Sequence, residues 1–343
     1  MFMEIRYVKY QVKTTDSLDS LSKRLGINPI DLKDFHNQHA PKMDRVWFPS
    51  LNGVDYLLIP INFKSQEQIL IENQQLLPSK NIKLPLHLNH YIVTHTIVTV
   101  GEDVLEIRYQ LQTEYLKNEN DLHDITVSRN HFESNGKKVD SKMGQLALAC
   151  MQTIEPLRIS LNTNCSFQAV TNHHEIVNKF KEKSTSIKEY FTGDVAHRYL
   201  DEFKVGISKP YNLEQQLKES LVFQLLFFNK EWMFKVGQWK TAFYLIPHSF
   251  PVMFVCETEV NYGLENTVLT TIKGRVNDDI SLHELLKGRR FENDFEPLDA
   301  TINLLITTDK QTKKLLNAQF SFVLNNETEV YQKQTLIINQ NNL

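Results

Sequence analysis

Between Leu213 and Phe228 the chain reads LEQQLKESLVFQLLFF, with leucines at 213, 217, 221 and 225 in an unbroken run at four. That spacing places the leucines on one face of a helix, and Asn212-x-x-Gln215 at its start reads as a variant of the capping box. From Leu221 onward the remaining faces are apolar too, filled by Val222, Phe223, Leu226, Phe227 and Phe228. A helix that is apolar all round cannot lie on a surface, so whatever this chain folds into must enclose that stretch. Leu221 to Phe228 is far shorter than the ~20 residues that span a bilayer, and no membrane span is expected. The cover must therefore be the chain's own sheet, a bound lipid-like molecule or a partner subunit. A curled sheet is favoured, because the strands that follow provide it without the entropy cost of association.

Strand patterns flank the helical stretch on both sides. Tyr91, Val93 and Ile97 alternate with Ile92, Val98 and Val100, and Leu105, Ile107, Tyr109 and Leu111 alternate with Glu106, Arg108, Gln110 and Gln112. Asn135-Gly136, between Phe132 and Val139, predicts a two-residue hairpin turn. Ile176, Val177, Phe180, Ile187, Tyr190 and Phe191 then recur at helical spacing, with Asn172 or Thr171 available as a cap. Strands return at 242–246, 252–260, 267–273, 300–307, 318–324 and 328–338, the last two around Asn325-Asn326. Strands, helices and strands again predict an α+β domain over 89–343, mostly antiparallel sheet packed on or wrapped around central helices at about 172–228.

The first sixty or so residues carry a different pattern. Ile5, Tyr7, Tyr10 and Val12 approximate a strand, and Asp16 stands where it can cap a helix whose inward stripe is Leu18, Leu21 and Leu25. Gly26 ends that helix. Asn28-Pro29-x-Asp31 starts a second one, with Leu32 and Phe35 as its buried side. Residues 63–88 read as a polar linker interrupted by Pro78 and Pro85, with a short helix over 65–76.

Within this N-terminal stretch Tyr10-x-Val12 is followed by Asp16-Ser17-Leu18, Leu21-Ser22 sits in the first helix, Asn37 ends the second, and Leu57-Leu58-Ile59-Pro60 closes it. That sequence of features resembles a LysM module, over roughly a sixth of the chain. The resemblance implies a small βααβ module at 1–62 and a groove for N-acetylglucosamine-containing glycans between the loop after the first strand and the loop before the second. On this chain the groove would be Thr14, Thr15, Asp16, Ser17 and Leu18 on one side, and Asn37, Trp47, Phe48, Asn52 and Gly53 on the other. Two departures from the family fall on it. Thr15 stands where the family has glycine, and a residue with a Cβ is strained at positive φ. The loop before the last strand is long, and Gly53 comes one residue early. These departures predict weak or absent binding of N-acetylglucosamine oligomers. Trp47 and Phe48 have two readings, as groove residues or as closure of the small core.

Lys and Arg number 38 against 41 Asp and Glu, a net charge of −3, and no cationic cluster points to nucleic acid or to an anionic membrane. Three cysteines make no disulfide framework and suggest a reducing compartment. The opening MFMEIRYVKYQ has an acid at position 4 and no apolar core, so no signal peptide is expected. A cytoplasmic location, or export by a dedicated machine, follows as the expectation.

Phosphate loop, His-Glu-x-x-His, Gly-x-Ser-x-Gly and dinucleotide fingerprint are all missing from the sequence. Asn164-Cys165-Ser166-Phe167 resembles the nucleophile turn of NlpC-type cysteine peptidases, but phenylalanine replaces their glycine, and Phe167, Ala169 and Val170 read as strand rather than helix. Cys150, in a small apolar run, reads as a buried space-filler. His36-x-x-His39, His87-x-x-His90 and His173-His174-Glu175 offer too few ligands for zinc. No catalytic residue, cofactor or metal is therefore expected. LysM-bearing proteins without signal peptides resemble accessory or baseplate components of phage tails and of contractile injection (type VI secretion-like) systems. The sequence thus predicts a non-enzymatic adaptor that binds a protein partner in a larger assembly. The alternative is a peptidoglycan- or chitin-type glycan binder, and the minor one a cell-wall hydrolase acting through Cys165.

Overall fold

A computed structural model describes residues 7–61, 66–79, 88–117, 123–291, 296–326 and 329–341, and the structural statements below concern those. The chain divides into two units, Met1–Gln75 and Leu76–Leu343, each with a core of its own.

In the first unit β1 (Tyr7–Gln11) leads to α1 (Leu18–Leu25), α2 (Pro29–His39), β2 (Tyr56–Pro60) and α3 (Gln66–Gln75). Residues 4–6 of the expected first strand lie outside the described residues. β1 and β2 are antiparallel, with Tyr10 opposite Leu57. The cap of α1 is Ser17, not Asp16. Ser20 N–H donates to Ser17 Oγ at 3.1 Å and Ser17 N–H donates to Ser20 Oγ at 2.8 Å, a reciprocal pair that satisfies two otherwise free donors. Asp16 is turned to other work, described below. Gly26, at φ 67°, adopts the left-handed conformation that ends the helix.

Leu18, Leu21, Ile27, Leu32, Val46, Leu51 and Leu57 form the small core. Two inward assignments differ from the sequence pattern. Leu25 is exposed, because it sits in the last turn of a two-turn helix whose core is filled by Leu18 and Leu21. In α2 the buried partner of Leu32 is His36, four residues on, while Phe35 is half-buried and packs on the His39 ring at 4.4 Å.

The second unit runs β3 (Leu88–Thr99), β4 (Leu105–Lys117), β5 (His123–Ser134), β6 (Lys137–Lys138), α4 (Lys142–Ile154), β7 (Leu157–Leu161) and β8 (Phe167–Val170). Four helices follow, α5 (His173–Tyr190), α6 (Asp194–Ser208), α7 (Pro210–Glu219) and α8 (Leu221–Leu226). The chain then returns to strand in β9 (Gln238–Phe243), β10 (Val252–Asn261) and β11 (Thr267–Val276), passes α9 (Leu282–Lys287), and ends in β12 (Asp299–Asp309), β13 (Leu315–Asn326) and β14 (Glu329–Gln340). The twelve strands make one sheet in the order β8-β7-β5-β4-β3-β14-β13-β12-β11-β10-β9, with the short β6 beside β5, and every pairing is antiparallel. The α+β class and the large antiparallel sheet are as the sequence predicts. So is the turn at Asn135-Gly136, where both residues take positive φ, 49° and 70°, as a tight hairpin of matching twist requires.

One face of this sheet is apolar by strict alternation, with Val93, Leu336, Ile338, Phe320, Phe322, Leu304, Ile306, Val268, Ile272 and Phe254 all buried. Against β13 and β14 of that face lies α8. The single helix expected over 213–228 is in fact two, because Ser220 is extended (ψ 122°) between α7 and α8. The break has a physical reason. α7 buries only Leu213 and Leu217 and is one-sided, whereas α8 buries Leu221, Val222, Phe223 and Leu225, so one straight rod cannot serve both surroundings. The expected capping box also fails: α7 starts at Pro210, and Asn212 uses its amide to donate to the Val205 carbonyl at 3.1 Å. Asn172 does precede α5, but its side chain bonds Arg158 N–H and the Pro156 carbonyl instead of capping. Tyr190, at the end of α5, is exposed.

The one polar side chain of α8, Gln224, is fully matched. Its amide donates to the Tyr244 carbonyl at 2.9 Å and accepts from Tyr244 N–H at 3.0 Å, as a paired strand would. Arg129 on β5 meets Glu155, at the end of α4, at 2.6 Å with both side chains 12% exposed, and its guanidinium lies 5.6 Å from the Phe223 ring. The void lined by Leu221, Gln224, Leu225, Trp232, Phe243, Leu304 and Phe320 measures about 10 Å³, hardly one water. The sheet and helices therefore cover α8 themselves.

Two outcomes follow from these cores. In a chain cut after Gln75, Leu21→Ala is expected to lose about 2–5 kcal/mol in urea unfolding, and an unchanged midpoint would contradict the packing of α1. In the full chain, Phe223→Ala should cost the second unit about 3–5 kcal/mol, whereas a loss below about 1 kcal/mol would show that α8 is not enclosed.

Candidate functional site

The stretch from Ala40 to Asp55 has little regular structure beyond a 3-10 turn at Lys42–Asp44, and such a stretch is ordinarily loose. Here three side chains hold it. His36, fully buried, accepts Leu58 N–H at Nδ1 (3.0 Å), which leaves Nε2 as the N–H donor to the Asp44 carbonyl at 2.7 Å. The Asn37 amide donates to the Val46 carbonyl at 2.8 Å and accepts Val46 N–H at 2.7 Å. Tyr56 donates its hydroxyl to Asp44 Oδ2 at 2.7 Å. With Val46 and Leu51 buried in the core, the segment is fixed at both ends of its middle third.

What this pinned loop turns outward is apolar. Met43 is 97% exposed, Trp47 69% and Phe48 74%. The reading of Trp47 and Phe48 as closure of the small core is thereby excluded, since Val46 and Leu51 fill that place. Arg45 lies between, half-buried, with its Nε shut from solvent and meeting no acceptor.

Of the ten residues expected to line a groove, Thr14, Thr15, Ser17, Trp47, Phe48, Asn52 and Gly53 are exposed. Leu18 is a core residue. Asn37 is committed to Val46, and the Ser17 hydroxyl to the α1 cap. Asp16 accepts Lys13 N–H and the Tyr10 hydroxyl, both at 2.9 Å, and pairs with Arg24 at 3.4 Å. The Lys13 N–H first, then Tyr10 and Arg24, hold its carboxyl below the usual carboxylate range. The expected strain at Thr15 is absent, because Thr15 does not adopt positive φ; Gly53 does, at 80°. Sequence reasoning missed Met43, Arg45 and the part played by His36. The signal available was Lys42 to Phe48 itself, large apolar residues set among charges with no helix or strand period.

The other candidate chemistry is dispersed. Cys165 sits in the turn between β7 and β8 at φ 70°, not at a helix start, and burial pushes its thiol up against the opposing effect of Lys230. Cys150 and Cys256 are buried, with thiols pushed up to about 11. His39 donates Nδ1–H to the Phe35 carbonyl, His173 donates to the Ile207 carbonyl, and Glu175 pairs with Arg158. His87 lies outside the described residues. Among the described residues no three His, Cys, Asp or Glu side chains converge as a metal would require, and no helix is long and apolar enough to cross a membrane.

His36→Leu removes the partner of the Asp44 carbonyl and that of the buried Leu58 N–H, so the first unit should lose on the order of 1–3 kcal/mol in chemical unfolding; a neutral result would mean that the loop is held otherwise. Asp16→Asn should destabilise the first unit at pH 7. A carboxylate held low contributes stability above its ordinary value of 3.8 and loses it as pH falls through the folded value, so the gap between variant and wild type should close below about pH 4.

No family model matches the chain, and no curated protein matches it. Similar solved structures include lipovitellin, in a study of its lipid–protein interactions, at 8% identity and a TM-score of 0.39; the match covers 75% of this chain and only 25% of that one. A LolA superfamily protein from Nitrosomonas europaea is 9% identical with a TM-score of 0.22, covering 80% of this chain and 94% of that one. DynF, from the dynemicin biosynthesis pathway of Micromonospora chersina, is 7% identical with a TM-score of 0.17, covering 77% and 88%. Likenesses this weak decide nothing about fold or function.

Proposed function

We propose that this chain is a non-enzymatic binding protein whose first unit is a LysM-like docking module and whose second unit is a closed structural body. It serves as an adaptor in a larger protein assembly, of the kind represented by accessory or baseplate components of contractile injection and phage-tail-like systems. The observation that carries the reading is the exposure of Trp47 and Phe48, with Met43, on a loop fixed by His36 and Asn37. Trp, Phe and Met are the residues enriched where proteins meet. A loop already held in place loses little further entropy when a partner arrives. The strand–helix–helix–strand order of residues 7–60 supports the LysM-like assignment.

A protein partner is favoured over a glycan by what the loops do not offer. Sugar hydroxyls need donors and acceptors at fixed places, yet Asp16, Ser17 and Asn37 have theirs engaged within the unit. Among the described residues, the void beside α8 is too small for a lipid-like cargo. Titration calorimetry with a chitin pentamer is expected to give no measurable heat of binding. Low-micromolar affinity that is lost in Trp47→Ala would replace the protein reading with the glycan one.

A further inference from the structure

We infer that the docking loop takes a protein segment that sets a carboxylate beside a large apolar side chain, the carboxylate meeting Arg45 and the apolar group meeting Trp47 and Phe48. This rests on the docking reading above and adds the chemistry of the occupant. Arg45 is extended, φ −70° and ψ 138°, and Val46 next to it points into the core. Trp47, on the far side of Val46, is exposed, and Arg45 is half-buried. Asp44, its neighbour in the chain, accepts the Tyr56 hydroxyl. Among the described residues Arg45 has no ion pair, and its Nε is desolvated without an acceptor.

A guanidinium part-shielded from water attracts a carboxylate more strongly than one in bulk solvent, and its planar fork fixes the direction of approach. Lys42, exposed on the same 3-10 turn, adds a second cation, so beside three bare apolar side chains the loop carries Lys42 and Arg45, with Asp44 accepting the Tyr56 hydroxyl and Asp55 at the far end of the stretch. Two cations are too few to hold a polyphosphate backbone, and the apolar exposure would contribute nothing to one. A protein segment mixing acid and apolar residues complements the loop on both counts.

The test is an array of immobilised twelve-residue peptides with a central Leu, Phe or Trp flanked by Asp and Glu, by Asn and Gln, or by Lys. It is probed with the whole protein as wild type, Arg45→Gln and Trp47→Ala, each first shown to unfold at the wild-type midpoint. Wild type is expected to retain acidic peptides about tenfold better than their amide counterparts. Arg45→Gln should erase that preference while keeping the residual apolar retention, and Trp47→Ala should lose all the peptides. Equal retention of acid and amide peptides by wild type, or a preference that survives Arg45→Gln, overturns the carboxylate assignment and leaves docking intact. Full retention by Trp47→Ala overturns the docking reading itself. Failure of wild type to retain any peptide while it sediments with insoluble peptidoglycan overturns both in favour of the glycan.

Discussion

The second unit depends on the pairing of its first strand with its last. β3 lies against β14 with Val93 opposite Ile338, and His95 donates to the Gln334 side chain at 2.8 Å across 239 residues of sequence. Without that pairing the sheet falls into two halves, β3 to β8 and β9 to β14. With it, the halves join into one surface broad enough to cover α8, and the apolar run at Leu221–Leu226 gains the enclosure its composition demands. Closing so long a loop adds little to the entropy cost beyond that of a shorter one, because the cost rises only logarithmically.

The first unit solves a smaller problem by a polar device. Its core of seven buried apolar residues is modest, and a sixteen-residue stretch between α2 and β2 must be ordered with little packing to spare. A buried imidazole is costly unless both nitrogens are matched. His36 matches both, and in doing so ties β2 to the 3-10 turn while Asn37 holds Val46. Once the chain is fixed there, Met43, Trp47 and Phe48 have no inward place left, since Val46 and Leu51 hold it. Exposure of the aromatics is thus a product of the clamp.

Much of the architecture was legible in the residues. Period-two alternation located most strands of the large sheet, although β9 runs over Gln238–Phe243 rather than 242–246 and β7 carried no expectation; Asn135-Gly136 located a turn, and the fully apolar run at 221–228 required a cover. What failed was local. Asp16 and Asn212 have the composition of helix caps, but tertiary partners claimed both side chains, Tyr10 and Lys13 for the first and the Val205 carbonyl for the second. The helix break at Ser220 left no signal, because leucines at four continue straight through it; only the change from one-sided to all-round burial demands it. His36 was hidden for the same reason. A histidine beside another at i+3 suggests a ligand, and nothing in sequence shows that its partners are Asp44 and Leu58, one of them 22 residues away. The candidate loop was half visible: Trp47 and Phe48 stood out as large aromatics, but whether they turned in or out depended on which residues took the core first.

The central claim is that the aromatic loop is held rigid before any partner binds. Amide hydrogen exchange of the free protein tests it at two positions, Val46 N–H on Asn37 and Leu58 N–H on His36. If the clamp holds, both exchange only through global unfolding of the first unit, as slowly as the Leu21 amide in α1. Exchange of Val46 at the rate of an unprotected loop, comparable with exposed Thr15, would show that Trp47 and Phe48 ride on a mobile segment and would contradict the account.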